Sequence, residues 1–155
     1  MRLKKTYSSR EVAAFTGLTA RQLQIWHADG LMPPAIPPHR TVAGGYTERR
    51  YTPIELFELR SLAELRELGF SVSQLRTIVD ALRVTFQTRL FDATGGGGLT
   101  QVLTDGHDVY ARTHAGEFFS LLNGPTIPLL TVGDPTRLRE LGTKTRRVRT
   151  TLRRA

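Results

Sequence analysis

The sequence predicts a mainly α fold, in which four helices and a β-hairpin are followed by a small α+β module. The main observation is that four segments within residues 8–74, beginning at Ser8, Thr19, Thr52 and Ser71, read S/T-x-x-E/Q. In such a capping box the first side chain accepts a hydrogen bond from a backbone amide, and the Glu or Gln reaches back to the cap residue. Apolar residues at helical spacing follow the boxes, and a stretch rich in proline and glycine separates the second from the third. The boxes therefore predict where four helices begin.

The first two predicted helices are short and close together. Helix one is expected from about Ser9 to Thr16, ended by Gly17 in a left-handed conformation. Helix two is expected after the cap at Thr19, ending near Asp29 with Gly30 at its C-cap. Two helices joined by about three residues around a glycine form the helix-turn-helix arrangement, whose second helix enters a DNA groove.

Helix two is predicted to have two faces of different character. Leu23 and Trp26 are three residues apart, so they share a face that is expected to pack onto helix one. Arg21, Gln24 and Ala28 fall on another face, which is short and polar. A cation and amides on such a face are suited to contact base edges.

Residues 33–52 are predicted to form the hairpin, because their prolines exclude helix and Gly44-Gly45 provides a tip between two strand-like segments. Helix three follows the cap at Thr52 and ends at Gly69, and helix four follows Ser71. Residues 84–92 are a candidate extension of helix four, which the glycine run Gly95–Gly98 must end.

The glycine run is the predicted domain boundary. Beyond it, residues 99–103 and 109–113 flank Thr104-Asp105-Gly106-His107 as a second hairpin. Further elements are expected to be a short helix over 117–122, a strand over 126–132 and a short helix over 135–141. The predicted organisation is a DNA-binding domain over 1–92, a linker over 93–98, an α+β module for dimerisation, effector or partner binding over 99–143, and a basic tail over 144–155.

The composition of the chain limits which partners, sites and cellular locations are expected for this protein. The net charge of +8 favours a polyanionic partner, and the absence of cysteine excludes disulfides and thiolate metal sites. No apolar run approaches a membrane-spanning length and the N-terminus does not read as a signal peptide, so the protein is expected in the cytoplasm, associated with the nucleoid. The four histidines are too scattered for a metal site, and the glycine run lacks the residues of a phosphate loop. We expect no cofactor, no metal and no enzymatic activity.

On these residues, the first ninety or so positions resemble the MerR family of winged helix-turn-helix transcription regulators. The family signature combines a short helix, Thr-x-Arg-x-Leu-x-x-Tyr/Trp, Gly-Leu, a wing ending in Arg-Tyr, and Leu-Gly-Phe-Ser before a capped helix. It appears here, in order, as Glu11-Val12-Ala13, Gly17-Leu18-Thr19-Ala20-Arg21-Gln22-Leu23, Trp26, Gly30-Leu31, Arg49-Arg50-Tyr51-Thr52-Pro53 and Glu67-Leu68-Gly69-Phe70-Ser71. Residues 102–132 resemble the small C-terminal module of some actinobacterial-type members.

The resemblance implies a sequence-specific regulator that reads double-stranded DNA with helix two. Trp26 then packs beneath that helix and approaches the phosphates, the wing arginines lie along the flanking backbone, and Tyr51 anchors the wing. The expected DNA-binding residues on helix two, in the wing and on helix one are Arg10, Thr19, Ala20, Arg21, Gln22, Gln24, Trp26, His27, Arg40, Tyr46, Arg49, Arg50 and Tyr51.

Three departures from the family pattern limit this expectation. The Arg-Tyr usual before the aromatic is Gln24-Ile25, and the acidic residue usual after it is His27. No long heptad helix follows helix four, so the expected partners include a second copy, either as a homodimer or as a head-to-tail oligomer on DNA, or another protein held by the C-terminal module. An excisionase-like or architectural DNA-binding protein and an antitoxin-type interaction protein are the alternative functions.

Overall fold

The computed structural model describes residues 4–32, 34, 36, 38–94, 98–130 and 139–140, which form two compact units, 1–64 and 65–155. The division between these units falls within the third helix, upstream of the glycine run, and the predicted domain limits stay a prediction. The helices are α1 (Ser9–Thr16), α2 (Ala20–Ala28), α3 (Pro53–Glu67), α4 (Val72–Thr85) and α5 (Leu90–Ala93). The strands are β1 (Tyr7–Ser8), β2 (Arg50–Tyr51), β3 (Gln101–Thr104), β4 (Val109–Arg112), β5 (Phe118–Ser120), β6 (Gly124–Leu129) and β7 (Arg139–Glu140).

All four capping boxes form at the predicted helix starts. In each box the cap hydroxyl accepts from the amide three residues on, at distances between 3.0 and 3.3 Å. The Glu or Gln side chain accepts in return from the cap amide, at distances between 2.8 and 3.2 Å. Each cap is worth about 1 kcal/mol. The predicted starts of α1, α2, α3 and α4 are confirmed.

The first unit is built around α1. This helix contacts α2, β1 and β2, and β1 pairs antiparallel with β2 through Tyr7↔Tyr51 and Ser8↔Arg50. The ring of Phe15 on α1 meets that of Phe57 on α3 edge to face, with centroids 5.8 Å apart. The β1–β2 pair was not predicted, because strands of two residues carry no periodic pattern.

The loop between α2 and β2 is held by sparse backbone pairing. Bridges join Arg40 to Tyr46 and Ile36 to Arg50. At its tip the Thr41 amide donates to the Gly45 carbonyl at 2.7 Å, and Gly44 has a φ of +92°. This positive φ explains the glycine, since other residues rarely adopt it.

Helix α4 includes only the first two residues of the candidate extension 84–92, so that expectation is wrong beyond Thr85. The helix ends at Thr85, and Gln87 has a φ of +49°. The next helical residues are those of the short α5. The ring of Phe86 meets Phe119 edge to face, with centroids 5.3 Å apart. An aromatic contact made at the helix end therefore replaces the helical continuation.

The second unit carries an antiparallel sheet in the order β6-β5-β4-β3-β7. The predicted β3–β4 hairpin is confirmed, and the strand expected over 126–132 is present as β6, with residues 131–132 outside the described part. The helix expected over 117–122 is wrong: Phe118 and Ser120 are buried while Phe119 is half-buried, which is strand alternation. A strand also replaces the helix expected over 135–141 at Arg139–Glu140; the rest of that segment and the basic tail 144–155 lie outside the described residues.

Two carboxylates order the turns of this sheet. Asp108 accepts from the Ser120 hydroxyl at 2.7 Å and from the Asn123 side-chain amide at 3.0 Å, which ties the β3–β4 turn to the β5–β6 turn. Asp105 accepts from the amides of His107 and Asp108, each at 2.8 Å. Burial alone would raise the pKa of Asp105, but these amides and the Tyr110 hydroxyl outweigh it and lower the pKa below its usual value.

We expect Asp105→Ala to lower the free energy of unfolding at pH 7 by about 1 kcal/mol, which is below the usual range for hydrogen bonds to a charged group because solvent screens this exposed carboxylate. Because the pKa of Asp105 is lower in the folded state than in the unfolded state, its carboxylate stabilises the fold at pH values above the unfolded-state pKa near 4. This stabilisation is lost as the pH falls through the folded-state pKa. The difference between variant and wild type in urea midpoint should therefore shrink from pH 7 to pH 3. A constant difference would contradict the electrostatic cause.

Candidate nucleic-acid interface

Helix α2 presents a polar face to solvent and buries its apolar one. Leu23 and Trp26 are buried, as predicted, while Arg21, Gln24 and Ala28 are exposed. Thr19 and Ala20, at the start of the helix, are exposed as well. The predicted separation of faces is confirmed.

Gln22 forms hydrogen bonds within the protein, at the start of α2. Its side-chain oxygen accepts from the Thr19 amide at 2.8 Å, and its own backbone amide donates to the Thr19 hydroxyl at 3.0 Å. Only the Gln22 side-chain NH₂ lies outside this box. Both residues therefore hold the start of α2 in place through hydrogen bonds within the protein.

Ile25 is an exposed residue that is not among the predicted DNA-binding residues. It lies beside Gln24 on α2 and is 44% exposed. An apolar side chain in this position can contact a thymine methyl group. The helical spacing places Ile25 outside the face that Leu23 and Trp26 share, which is a signal of exposure. A single isoleucine is nevertheless as often a core residue, so this signal alone did not identify it.

Two aromatic residues expected at the DNA are buried. Trp26 is only 2% exposed, and its carbonyl accepts from the amides of Leu31 and Met32, which closes the end of α2. Tyr51 is completely buried. Their side chains support the surface from within the first unit, so direct contact with a duplex is not open to them.

The loop residues Arg40 and Tyr46 are exposed, as is Arg10 on α1. Tyr46 is 74% exposed, and Val42 at the tip is fully exposed. The candidate residues of this loop thus divide into exposed ones near the tip and the partly buried pair Arg49 and Arg50.

Arg49 and Arg50 make different contacts. Arg49 Nε donates to His27 Nδ1 at 3.1 Å, which joins the loop to the last turn of α2. Arg50 Nε and Nη2 both donate to the Thr6 hydroxyl, at 3.1 and 3.0 Å, and Arg50 Nη1 lies 3.5 Å from the Glu48 carboxylate. Arg49 thus connects to helix α2, whereas Arg50 connects to Thr6, the residue before β1.

The Tyr51 hydroxyl has no hydrogen-bond partner among the described residues. Burial raises the pKa of this phenol. The positive charge of Arg49 lowers the pKa and the carboxylate of Glu55 raises it, so that the net shift remains upward. Because an unpartnered buried hydroxyl costs free energy, Tyr51→Phe should raise the free energy of unfolding by about 1 kcal/mol. Urea unfolding measures this, and a loss of stability would contradict it. DNA affinity is expected to stay unchanged.

Two features are absent from the part of the chain that the structure describes. It holds no group of three or more His, Asp or Glu side chains able to bind a metal ion. Among those same residues, no helix is both long and apolar enough to cross a bilayer.

The profile of the MerR HTH family of regulatory proteins matches residues 7–82. Uncharacterised HTH-type transcriptional regulators of Mycobacterium bovis and Mycobacterium tuberculosis are 30% identical over 118 residues, which is 76% of this chain and 48% of theirs. The HTH-type transcriptional activator TipA of Streptomyces coelicolor is 35% identical over 75 residues, or 48% of this chain and 27% of TipA. A MerR-family transcriptional regulator from Bacillus cereus, solved as a crystal structure, is 26% identical with a TM-score of 0.38, covering 48% of this chain and 51% of that one. The chain spans about half the length, or less, of the curated relatives it matches.

Proposed function

Because residues 7–82 of this chain belong to the MerR HTH family of regulatory proteins, we propose that the protein is a sequence-specific DNA-binding regulator of transcription. Helix α2 is the recognition helix and lies in the major groove, which is wide enough to admit a helix. The observation that carries this proposal is the exposed face of Arg21, Gln24 and Ala28 on a helix whose opposite side is held by buried Trp26.

Base readout is assigned to three neighbouring side chains on α2. The arginine fork of Arg21 suits the O6 and N7 acceptors of guanine, and the amide of Gln24 suits the N6 and N7 of adenine. Ile25, exposed beside them, suits the methyl group of thymine. The readout therefore combines two polar contacts with one apolar contact.

The loop between α2 and β2 acts as the wing, and it sets the register of α2 through the DNA backbone. Arg40 and Tyr46 are exposed along it, and Arg10 is exposed on α1. Contacts to phosphates fix the position of a protein on DNA without reading sequence. This assignment leaves discrimination between bases to α2.

Selection of bound duplexes from a random pool, followed by footprinting, tests the proposal. One defined site per promoter is expected, at nanomolar concentrations typical of specific binding. Binding with no preference over competitor DNA, or none in dilute buffer, would contradict it. A footprint over tandem sites with bent DNA would instead favour an excisionase-like role.

The basic tail is proposed to add affinity that does not depend on sequence, since residues 144–155 hold six basic and no acidic side chains. Removing Lys144–Ala155 should lower the slope of log affinity against log salt by up to about 0.9 for each phosphate that the tail neutralises. Affinity measured over a salt series checks this, with the six basic residues changed to Gln as the control of equal length. An unchanged slope would show that the tail does not bind DNA.

A further inference from the structure

We infer that Arg49, positioned by His27, binds a DNA phosphate, whereas its neighbour Arg50 stabilises the fold and does not contact DNA. This inference rests on the proposed function. It assigns different roles to two adjacent arginines that the sequence predicts to have the same role. His27 is a positioning residue, since it acts through Arg49.

The hydrogen bond to His27 uses one end of the Arg49 guanidinium. Nε donates to His27 Nδ1 at 3.1 Å in a partly buried setting. Within the described part of the chain, the Nη1 and Nη2 groups make no hydrogen bond. These two nitrogens match two oxygens of one phosphate, which arginine binds in a bidentate manner.

Holding Nε also reduces the cost of binding. A free arginine loses rotamer freedom, and with it entropy, when it is fixed at a phosphate. Because His27 already restrains Arg49, part of that freedom is lost on folding rather than at the DNA. His27 belongs to the last turn of α2, so a phosphate at Arg49 lies at a set position relative to Arg21 and Gln24.

A histidine suits this role better than a carboxylate does. To accept from Arg49, His27 must be neutral with its proton on Nε2. A neutral acceptor orients the guanidinium without offsetting its charge, whereas a carboxylate would form an ion pair and weaken attraction to phosphate. The departure from an acidic residue at position 27 therefore has a physical consequence.

Arg50 has a different set of partners. Nε and Nη2 donate to the Thr6 hydroxyl, Nη2 also lies 3.3 Å from the Thr6 carbonyl, and Nη1 lies 3.5 Å from Glu48. All three nitrogens are engaged, and Glu48 offsets the charge. These bonds reinforce the pairing of β1 with β2, where Ser8 lies opposite Arg50.

The test compares Arg49→Gln with the matched Arg50→Gln in the full chain, at pH 8, on the selected duplex over a salt series. Arg49→Gln should weaken binding by between about ten- and a hundredfold, as for the removal of a bond to a charged group, and lower the salt slope by about 0.9. Arg50→Gln should keep the slope and instead lower the urea midpoint of unfolding. A lower slope in Arg50→Gln, with the wild-type slope in Arg49→Gln, would overturn the assignment.

His27 is tested in both backgrounds. His27→Ala should weaken binding in the wild-type background and have no further effect beside Arg49→Gln, while His27→Gln, which keeps an acceptor, should recover much of the affinity. Equal weakening in both backgrounds would show that His27 binds DNA itself and would overturn the positioning role. Failure of the wild type to bind any duplex would refute the proposed function, whereas specific binding that ignores Arg49 would refute only this inference.

Discussion

Replacing Trp26 by alanine is expected to lower the free energy of unfolding by about 3–5 kcal/mol. Trp26 is among the largest fully enclosed side chains of the first unit, at 2% exposure. Its removal leaves a cavity beneath α2 that the surrounding side chains cannot fill completely. A small domain is stable by only about 5–15 kcal/mol, so the variant should be partly unfolded at moderate temperature. Urea unfolding followed by circular dichroism measures this, because the change also removes the chain's single tryptophan.

Ile25→Ala is the matched control, since it shortens the adjacent side chain of the same helix at an exposed position. Its effect on stability should stay within about 0.5 kcal/mol. Trp26→Phe, which keeps an aromatic ring, should lie between the two. If Trp26→Ala were no more destabilising than Ile25→Ala, the role of Trp26 as the support of α2 would be wrong.

Replacing Arg21 by alanine is expected to weaken binding to the specific site by about 1–3 kcal/mol and to change binding to random DNA little. Arg21 is exposed near the start of α2, where the proposed function places a base edge. The substitution would remove the proposed bidentate hydrogen bond to guanine, which carries sequence information as well as affinity. Discrimination at one guanine position of the site should fall together with affinity.

Arg83→Ala controls for the removal of one positive charge. Arg83 lies on α4 in an exposed ion pair with Asp80, 3.2 Å apart, and it does not belong to the proposed reading helix. Its effect should be small and equal on specific and random duplexes. If Arg21→Ala weakened binding equally on both kinds of DNA, Arg21 would contact the backbone and not a base.

The starts of the helices and the two faces of α2 were predictable because the signals are local. A capping box needs only a cap residue and the residue three positions later, as Ser8 and Glu11 show. The burial of Leu23 and Trp26 follows from their spacing on one helix. Likewise, the β3–β4 hairpin follows from a turn sequence that orders itself around Asp105.

The errors fall where distant residues decide the structure. Phe118 to Ser120 form a strand because β4 and β6 pair with them on both sides. Helix α4 ends at Thr85, where Phe86 meets Phe119. Phe119 lies 33 positions after Phe86, and β4 ends six positions before β5 begins, so a local helical pattern could not indicate these partners.

The sequence by itself determined where each helix of the capped series begins, which face of α2 is buried, and which family carries this pattern. Only the tertiary structure decided which candidate side chains are enclosed and which partners they have within the protein. Tyr51 and Trp26 are enclosed, Arg50 is bound to Thr6, and Arg49 is joined to His27, which lies 22 positions earlier. The reason is physical: caps and helical faces depend on neighbours in the chain, whereas the partners of a side chain are set by segments that meet only on folding.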